Sequence, residues 1–166
     1  MNKSAILSVD GVYRYELTRE WDADLPTIGF IMLNPSTADA SVDDATIRKC
    51  VKFARRWGYG RLKVGNLYAW RSISPKKLRD RSIDVVGPGN DNAIYSILRA
   101  SEVVVCAWGT NCPDTHRAPY VMNMIKMWGT PAFALRITND GHPGHPLYIR
   151  DDAILVPYPA LVPYPA

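Results

Sequence analysis

The chain has no long hydrophobic run. Its longest apolar stretches, Ile28 to Leu33 with its glycine and Val103 to Trp108, are a handful of residues each. Neither can span a bilayer. The opening MNKSAILSVDGVYRYELTRE has no apolar stretch followed by a small-residue cleavage site, so nothing in it marks the protein for export. Cysteine is scarce, and Cys50, Cys106 and Cys112 cannot all pair within one chain. Reduced thiols and a cytoplasmic location are the simplest expectation. Charge of one sign is in small excess only. Twenty Lys and Arg against sixteen Asp and Glu give a net charge of +4. That suits a phosphate-bearing partner but not a protein that coats nucleic acid. A phosphate loop is also missing: VVGPGND (85–91) is too poor in glycine, and its proline removes a needed N–H. What remains is an ordinary globular balance, 47% hydrophobic and 22% charged over 166 residues. This excludes wholesale disorder, a coiled coil and a collagen-like chain, and predicts one domain.

From Thr27 onward, short apolar runs alternate with amphipathic stretches. Strands are predicted at TIGFIML (27–33), RLKVGNLYAW (61–70), EVVVCAW (102–108) and PAFALRI (131–137). Between the first two, Asp43 or Asp44 can cap a helix with apolar residues at helical spacing, Ile47, Cys50, Val51, Ala54 and Trp57. Gly58 stops it. Further helices are predicted from Pro75 through Leu78, over 90–100 and over 117–128. A strand–helix–strand series implies an α/β domain of three layers, here with a four-stranded parallel central sheet flanked by helices. The alternation around Val12–Tyr13–Arg14–Tyr15 adds an N-terminal edge strand or hairpin. The domain is expected over 1–154. Beyond it, 155–166 repeats LVPYPA in tandem, and two Pro-Tyr-Pro units cannot form a central strand. That segment is expected to be an extension.

Ligands of open parallel sheets bind beyond the carboxyl ends of the strands. After the first strand comes Asn34-Pro35-Ser36, and at the end of the second Asn66, Tyr68, Trp70, Arg71 and Ser72. After the third comes Gly109-Thr110-Asn111, and after the fourth the loop from Thr138 to Tyr148 with His142 and His145. Amides predominate over carboxylates. That favours a ligand read by hydrogen bonds at a planar edge, such as a nucleobase, with aromatic rings stacking on its face. Taken singly, each loop is as well explained by turn residues. Taken together they are not, because an unpaired amide beside an apolar strand is costly.

The string IMLNPSTADA…DDATIRKC…FARRWGYG…VGNLYAWR…AWG…GHPGHPLY resembles a bacterial and phage family known as domain of unknown function 1643, over about Tyr13 to Tyr148. A more distant likeness is to the uracil-DNA glycosylase superfamily. LNPS (33–36) is similar to its first-strand motif, VGNLYAWR (64–71) to its second, CAWG (106–109) to its third and HPGHPLY (142–148) to its last. The resemblance implies that Asn34 positions a water and that Asn66 reads the base edge. His145, or else His142, would donate to the base oxygen. Tyr68 or Trp70 would stand in for a stacking phenylalanine, with Asn111 beside the ligand. Ser36, Arg71, Ser74 and Lys76 would hold phosphate. No metal and no cofactor is needed for such hydrolysis, only a held water, a donor for the leaving base and exclusion of solvent.

Two functions are therefore expected to compete. One is a DNA glycosylase-like hydrolase acting on a modified or deaminated base. The other is a non-catalytic nucleotide or nucleobase binder, which captures a signalling nucleotide or inhibits a DNA-acting enzyme. The partner is DNA or a nucleotide, not a membrane. His142 and His145 also form an H-x-x-H, but a Gly/Pro loop is a poor metal frame. Cys50 and Cys106 read as core thiols. The run Arg48, Lys49, Lys52, Arg55 and Arg56 reads as a solvated helix face able to steer an anion, and Asp151 and Asp152 as repelling phosphate.

Overall fold

The computed structural model describes residues 1–159. At its centre lies Thr27–Met32, every residue of which is buried. In chain order the strands are β1 (Asn2–Leu7), β2 (Arg14–Glu20), β3 (Thr27–Met32), β4 (Arg61–Asn66), β5 (Val103–Cys106), β6 (Ala132–Ala134) and β7 (Val156–Pro157). The helices are α1 (Ala45–Arg56), α2 (Asn90–Ala100) and α3 (Arg117–Trp128). The strands form one mixed sheet in the order β1-β2-β4-β3-β5-β6-β7. The ladders β4–β3, β3–β5 and β5–β6 are parallel, and those that add β2, β1 and β7 are antiparallel. The protein is thus α/β, with a seven-stranded mixed sheet in place of the expected four-stranded parallel one.

Each helix is fixed by local chemistry. The Asp44 carboxylate accepts the Ile47 N–H at 2.9 Å and caps α1, and the residues beyond Arg56 turn at Gly58, whose φ is +82°. α1 packs with Phe30, Leu62 and Val64 on one face of the sheet. On the other, α2 and α3 pack with Ile31, Val104 and Cys106. Gly65 permits the close approach of α2, since a Cβ there would stand 2.6 Å from Ile97 Cδ1. From β3 the chain runs to β4 on one side, then returns to β5 on the other. The order reverses there, and a crevice opens at the carboxyl ends.

The predicted strand 61–70 ends earlier, at Asn66. The Asn90 side chain donates to the carbonyls of Asn66 and Leu67, both at 3.0 Å, and takes the chain out of the ladder. Further on, Trp70 bridges to Tyr13. The segment expected to be an extension begins inside the fold. Val156 pairs with Ala134, and Tyr158 packs edge-on against Trp108. Its proline lies at the sheet edge, where the missing N–H costs no ladder bond. The second LVPYPA, 161–166, lies outside the described residues. Among those residues no helix is long and apolar enough to cross a membrane. All three cysteines are free.

Candidate functional site

A cavity of about 330 Å³ occupies the crevice at the strand ends. This lies within the ~300–1,000 Å³ range of small-molecule sites. The turn after β3 supplies Leu33, Asn34 and Ser36, and the turn after β5 supplies Trp108 to Asn111. The long loop after β6 supplies Arg136, Thr138, His145 and Tyr148. The start of α1 gives Asp44, Thr46 and Ile47. Arg14 enters from β2, which runs antiparallel to β4 and so begins where its neighbours end. Gly109 ties two walls together: its N–H donates to Pro143 O at 2.8 Å, with φ at +72°. A side chain at that φ would be strained.

Asn34 donates through Nδ2 to Ser72 O at 2.8 Å and Pro35 O at 3.1 Å. Those bonds fix the amide and leave its Oδ1 uncommitted. His145 is held from the opposite sense. Its Nδ1 accepts the Leu147 N–H at 3.3 Å, which leaves the proton of the neutral ring on Nε2. Burial pushes the imidazole below its ordinary pKa, against the weaker pull of Asp44, and favours that neutral form. Tyr148 lies against it, ring centroids 5.7 Å apart, at the mouth of the cavity. Trp108, nearly fully buried, supplies an aromatic wall. Asp44 is the one carboxylate lining the cavity, and its Oδ1 is engaged in the α1 cap.

Among the buried side chains with unmet bonding capacity, two lie at the cavity or beside it. Asn66 is 1% exposed, and neither its Nδ2 nor its Oδ1 has a partner. It does not line the cavity itself but is the register partner of Met32, which does. Arg14 is 2% exposed; its Nη1 donates to Ala38 O at 2.5 Å, while Nε has no acceptor. Burial brings its pKa down to about 10, partly opposed by Asp44. A cation in that range stays charged at neutral pH.

Of the residues singled out from the sequence, Asn34, Ser36, Asn111 and His145 meet at the cavity. The others do not line it. Tyr68 is a core residue whose hydroxyl donates to Asp114 at 2.6 Å. Burial and that bond both push its pKa up. Trp70 packs against the α2–α3 core, so neither ring stacks in the cavity. His142 is tied by backbone bonds to Thr138. Arg71 donates to Gly11 O at 3.4 Å. Ser74 bonds Ser72, and Lys76 is exposed on the short 3-10 turn Pro75–Arg79. From that loop it is Ser72, Ile73 and Pro75 that reach the cavity. Thr138 and Tyr148, the ends of the loop expected at the rim, line the cavity too, whereas sequence reasoning missed Arg14 and Arg136. Among the described residues, no three of His, Cys, Asp and Glu gather as a metal-ion group.

The basic run on α1 is committed internally. Lys52 pairs with Asp151 at 2.5 Å, Lys49 donates to Ile149 O, and Arg56 donates to Asp151 O at 2.5 Å. Arg48 donates to Asp43 O at 2.6 Å, and Arg55 lies over the Trp21 ring. Asp151, expected to repel phosphate, instead pairs with Lys52 and Lys49 of this helix. Asp152 pairs with Arg150 at 3.1 Å.

Sheet, crevice and lining together define an α/β protein with a ligand-sized site at the point where strand order reverses. More particularly, the chain belongs to the family described as Protein of unknown function (DUF1643), whose model matches residues 14–147. The match begins at Arg14 and ends at Leu147, and so takes in every lining residue but Tyr148. No curated protein and no solved structure matches the chain.

Proposed function

We propose that the cavity recognises a nucleobase and that the protein hydrolyses the N-glycosidic bond of a modified or deaminated base. The chemistry would be like that of uracil-DNA glycosylases, whose motif order this chain resembles. The nucleotide unit bearing the base, in DNA or free, is the partner, in the cytoplasm of a bacterium or a phage-infected cell. One observation carries the reading: Asn34 Oδ1 and the His145 Nε2–H are both uncommitted in one cavity. The first can hold a water as acceptor, and the second can meet developing charge as donor. As the C1′–N bond breaks, its electron pair leaves with the base, and the water oxygen bonds to C1′. The water's proton passes to solvent, and the base is reprotonated there. Trp108 and Tyr148 offer faces for the departing ring.

A second reading, a non-catalytic nucleotide or nucleobase binder, is favoured by the state of Asp44. It is the one lining carboxylate, and its Oδ1 caps α1 at Ile47, so the group best suited as a base is fixed at the helix start and Asn34 itself is a poor one. Incubation with oligonucleotides and nucleotides carrying uracil or hypermodified pyrimidines separates the two. Free base released by wild type, but not by Asn34→Ala or His145→Ala, is the expected result. Tight binding with no base released would replace hydrolysis with the binder.

A further inference from the structure

The buried arginines of this protein differ in one respect. Arg19 meets Asp43 at 2.7 Å, and Arg117 stands 2.7 Å from Asp91. Arg14 has no carboxylate within ion-pair distance among the described residues, although it is 2% exposed. A guanidinium carries five donors in a planar fork. Here one is spent on Ala38 O, and Nε has no acceptor. Removing a charge from water without a partner is costly, so such a group is best explained by an anion that arrives with the ligand.

The start of α1 lies in the same cavity. It is a twelve-residue helix, and Thr46 in its first turn lines the space. Helix starts present unbonded N–H groups and a partial positive charge. Asp44 occupies one of those groups, the Ile47 N–H, and leaves that of Thr46 without a side-chain acceptor. The charged lining residues are then two arginines, Arg14 and Arg136, and one carboxylate. The balance favours a singly or doubly negative group.

We infer that Arg14 and the first turn of α1 form a subsite for a terminal phosphate, which makes a free nucleoside monophosphate the ligand. Ser36 and Arg136 complete it. Depth distinguishes this from a DNA strand. When a base is turned out of a duplex, the phosphates stay at the rim, because the backbone continues on both sides. A phosphate reaching a guanidinium 2% exposed must be a chain end. The α1 cations that could have tracked a backbone are meanwhile bound to Asp151, Asp43 O and Ile149 O. This assignment rests on the nucleobase reading of the cavity, and the two can fail separately.

Calorimetric titration of the full chain tests it. The probes are the nucleoside 5′-monophosphates of the common bases, of uracil and of hypermodified pyrimidines, the matching nucleosides, inorganic phosphate, and an oligonucleotide of the same bases without terminal phosphate. At least one monophosphate should bind roughly tenfold to a hundredfold tighter than its own nucleoside, the range of a charge-assisted bidentate contact. Arg14→Gln should abolish that advantage, and Arg136→Gln, an exposed position, should reduce it. If Arg14→Gln does not fold, Arg14→Lys and Arg136→Gln decide. The lysine keeps the charge and loses the fork, so the advantage should shrink without vanishing. Equal affinity for nucleoside and monophosphate would overturn the subsite and leave the nucleobase reading standing. So would an advantage that survives in Arg14→Gln, or in both fallback variants, or an oligonucleotide that binds as tightly as any monophosphate. Monophosphates bound alike whatever their base, with inorganic phosphate competing, would support the subsite and overturn the nucleobase reading. No binding by any probe overturns both.

Discussion

Asn66 on β4 stands opposite Met32 on β3 in their parallel ladder, and Met32 lines the cavity. Register partners in a parallel pair direct their side chains to the same face of the sheet. The Asn66 amide therefore lies on the cavity's face, buried, with neither of its polar atoms bonded. An unsatisfied buried amide costs on the order of 1–3 kcal/mol. A group held at that cost calls for a partner, a water or a ligand, that the side chains around it do not supply.

His145 should make stability depend on pH. Burial holds its folded pKa below the ordinary 6.5, so the unfolded chain binds the proton more readily. Stability is then full above about pH 6.5 and falls as pH drops toward the folded value, below which the loss stops. Protonation also turns Nδ1 into a donor and breaks the bond from Leu147 N. Urea midpoints taken between about pH 8 and pH 5 should decline in wild type and flatten in His145→Gln. Parallel curves would remove His145 from the cause.

Asn34→Asp separates stability from turnover. The asparagine Nδ2 donates to two carbonyls, Ser72 O and Pro35 O, and a carboxylate would leave both unpaired. Roughly 1–3 kcal/mol of stability should be lost. The same carboxylate can take the water's proton, so base release should quicken by roughly tenfold or more. Asn34→Ala should release none. An Asn34→Asp protein no faster than Asn34→Ala would contradict the water-holding role.

Tyr68→Phe should lower stability by roughly 1–2 kcal/mol through loss of the hydrogen bond to the Asp114 carboxylate. Ligand preference should be unchanged, because the Tyr68 hydroxyl is committed to Asp114 and its ring lies in the core. Denaturant unfolding alongside a ligand titration checks both halves. A shifted preference with unchanged stability would return Tyr68 to the site.

Local pattern carried much of this fold. Six consecutive buried residues from Thr27 made β3 legible, and Asp44 with its helical spacing made α1 legible. Asn34, Asn111 and His145 were legible because they follow parallel strands. Arg14 was not, since it opens a strand rather than following one. Only the antiparallel pairing of β2 with β4 brings that beginning to the cavity end. Long-range partners account for the rest. Asn90, 24 residues away, ends the ladder at Asn66 and leaves Tyr68 and Trp70 in the core. Asp151, 99 residues beyond Lys52, pairs with part of a face that reads locally as free cations. Neither separation leaves a trace in local periodicity.

The role of Asn66 is open to one direct measurement: ligand ranking and melting temperature on Asn66→Asp and Asn66→Ala. The aspartate keeps the size and exchanges a donor for an acceptor. In a dry site that mismatch is worth roughly tenfold to a hundredfold in affinity. Asn66→Asp should therefore shift preference toward a base edge that presents an amino group, and should lose stability as well, because the new carboxylate is buried without a partner. Asn66→Ala should lose discrimination as well as affinity, and should cost little stability because the amide it removes is unbonded. A lowered melting temperature in both variants, with the ranking of ligands unaltered, would contradict base reading and leave Asn66 as a prop for its own loop.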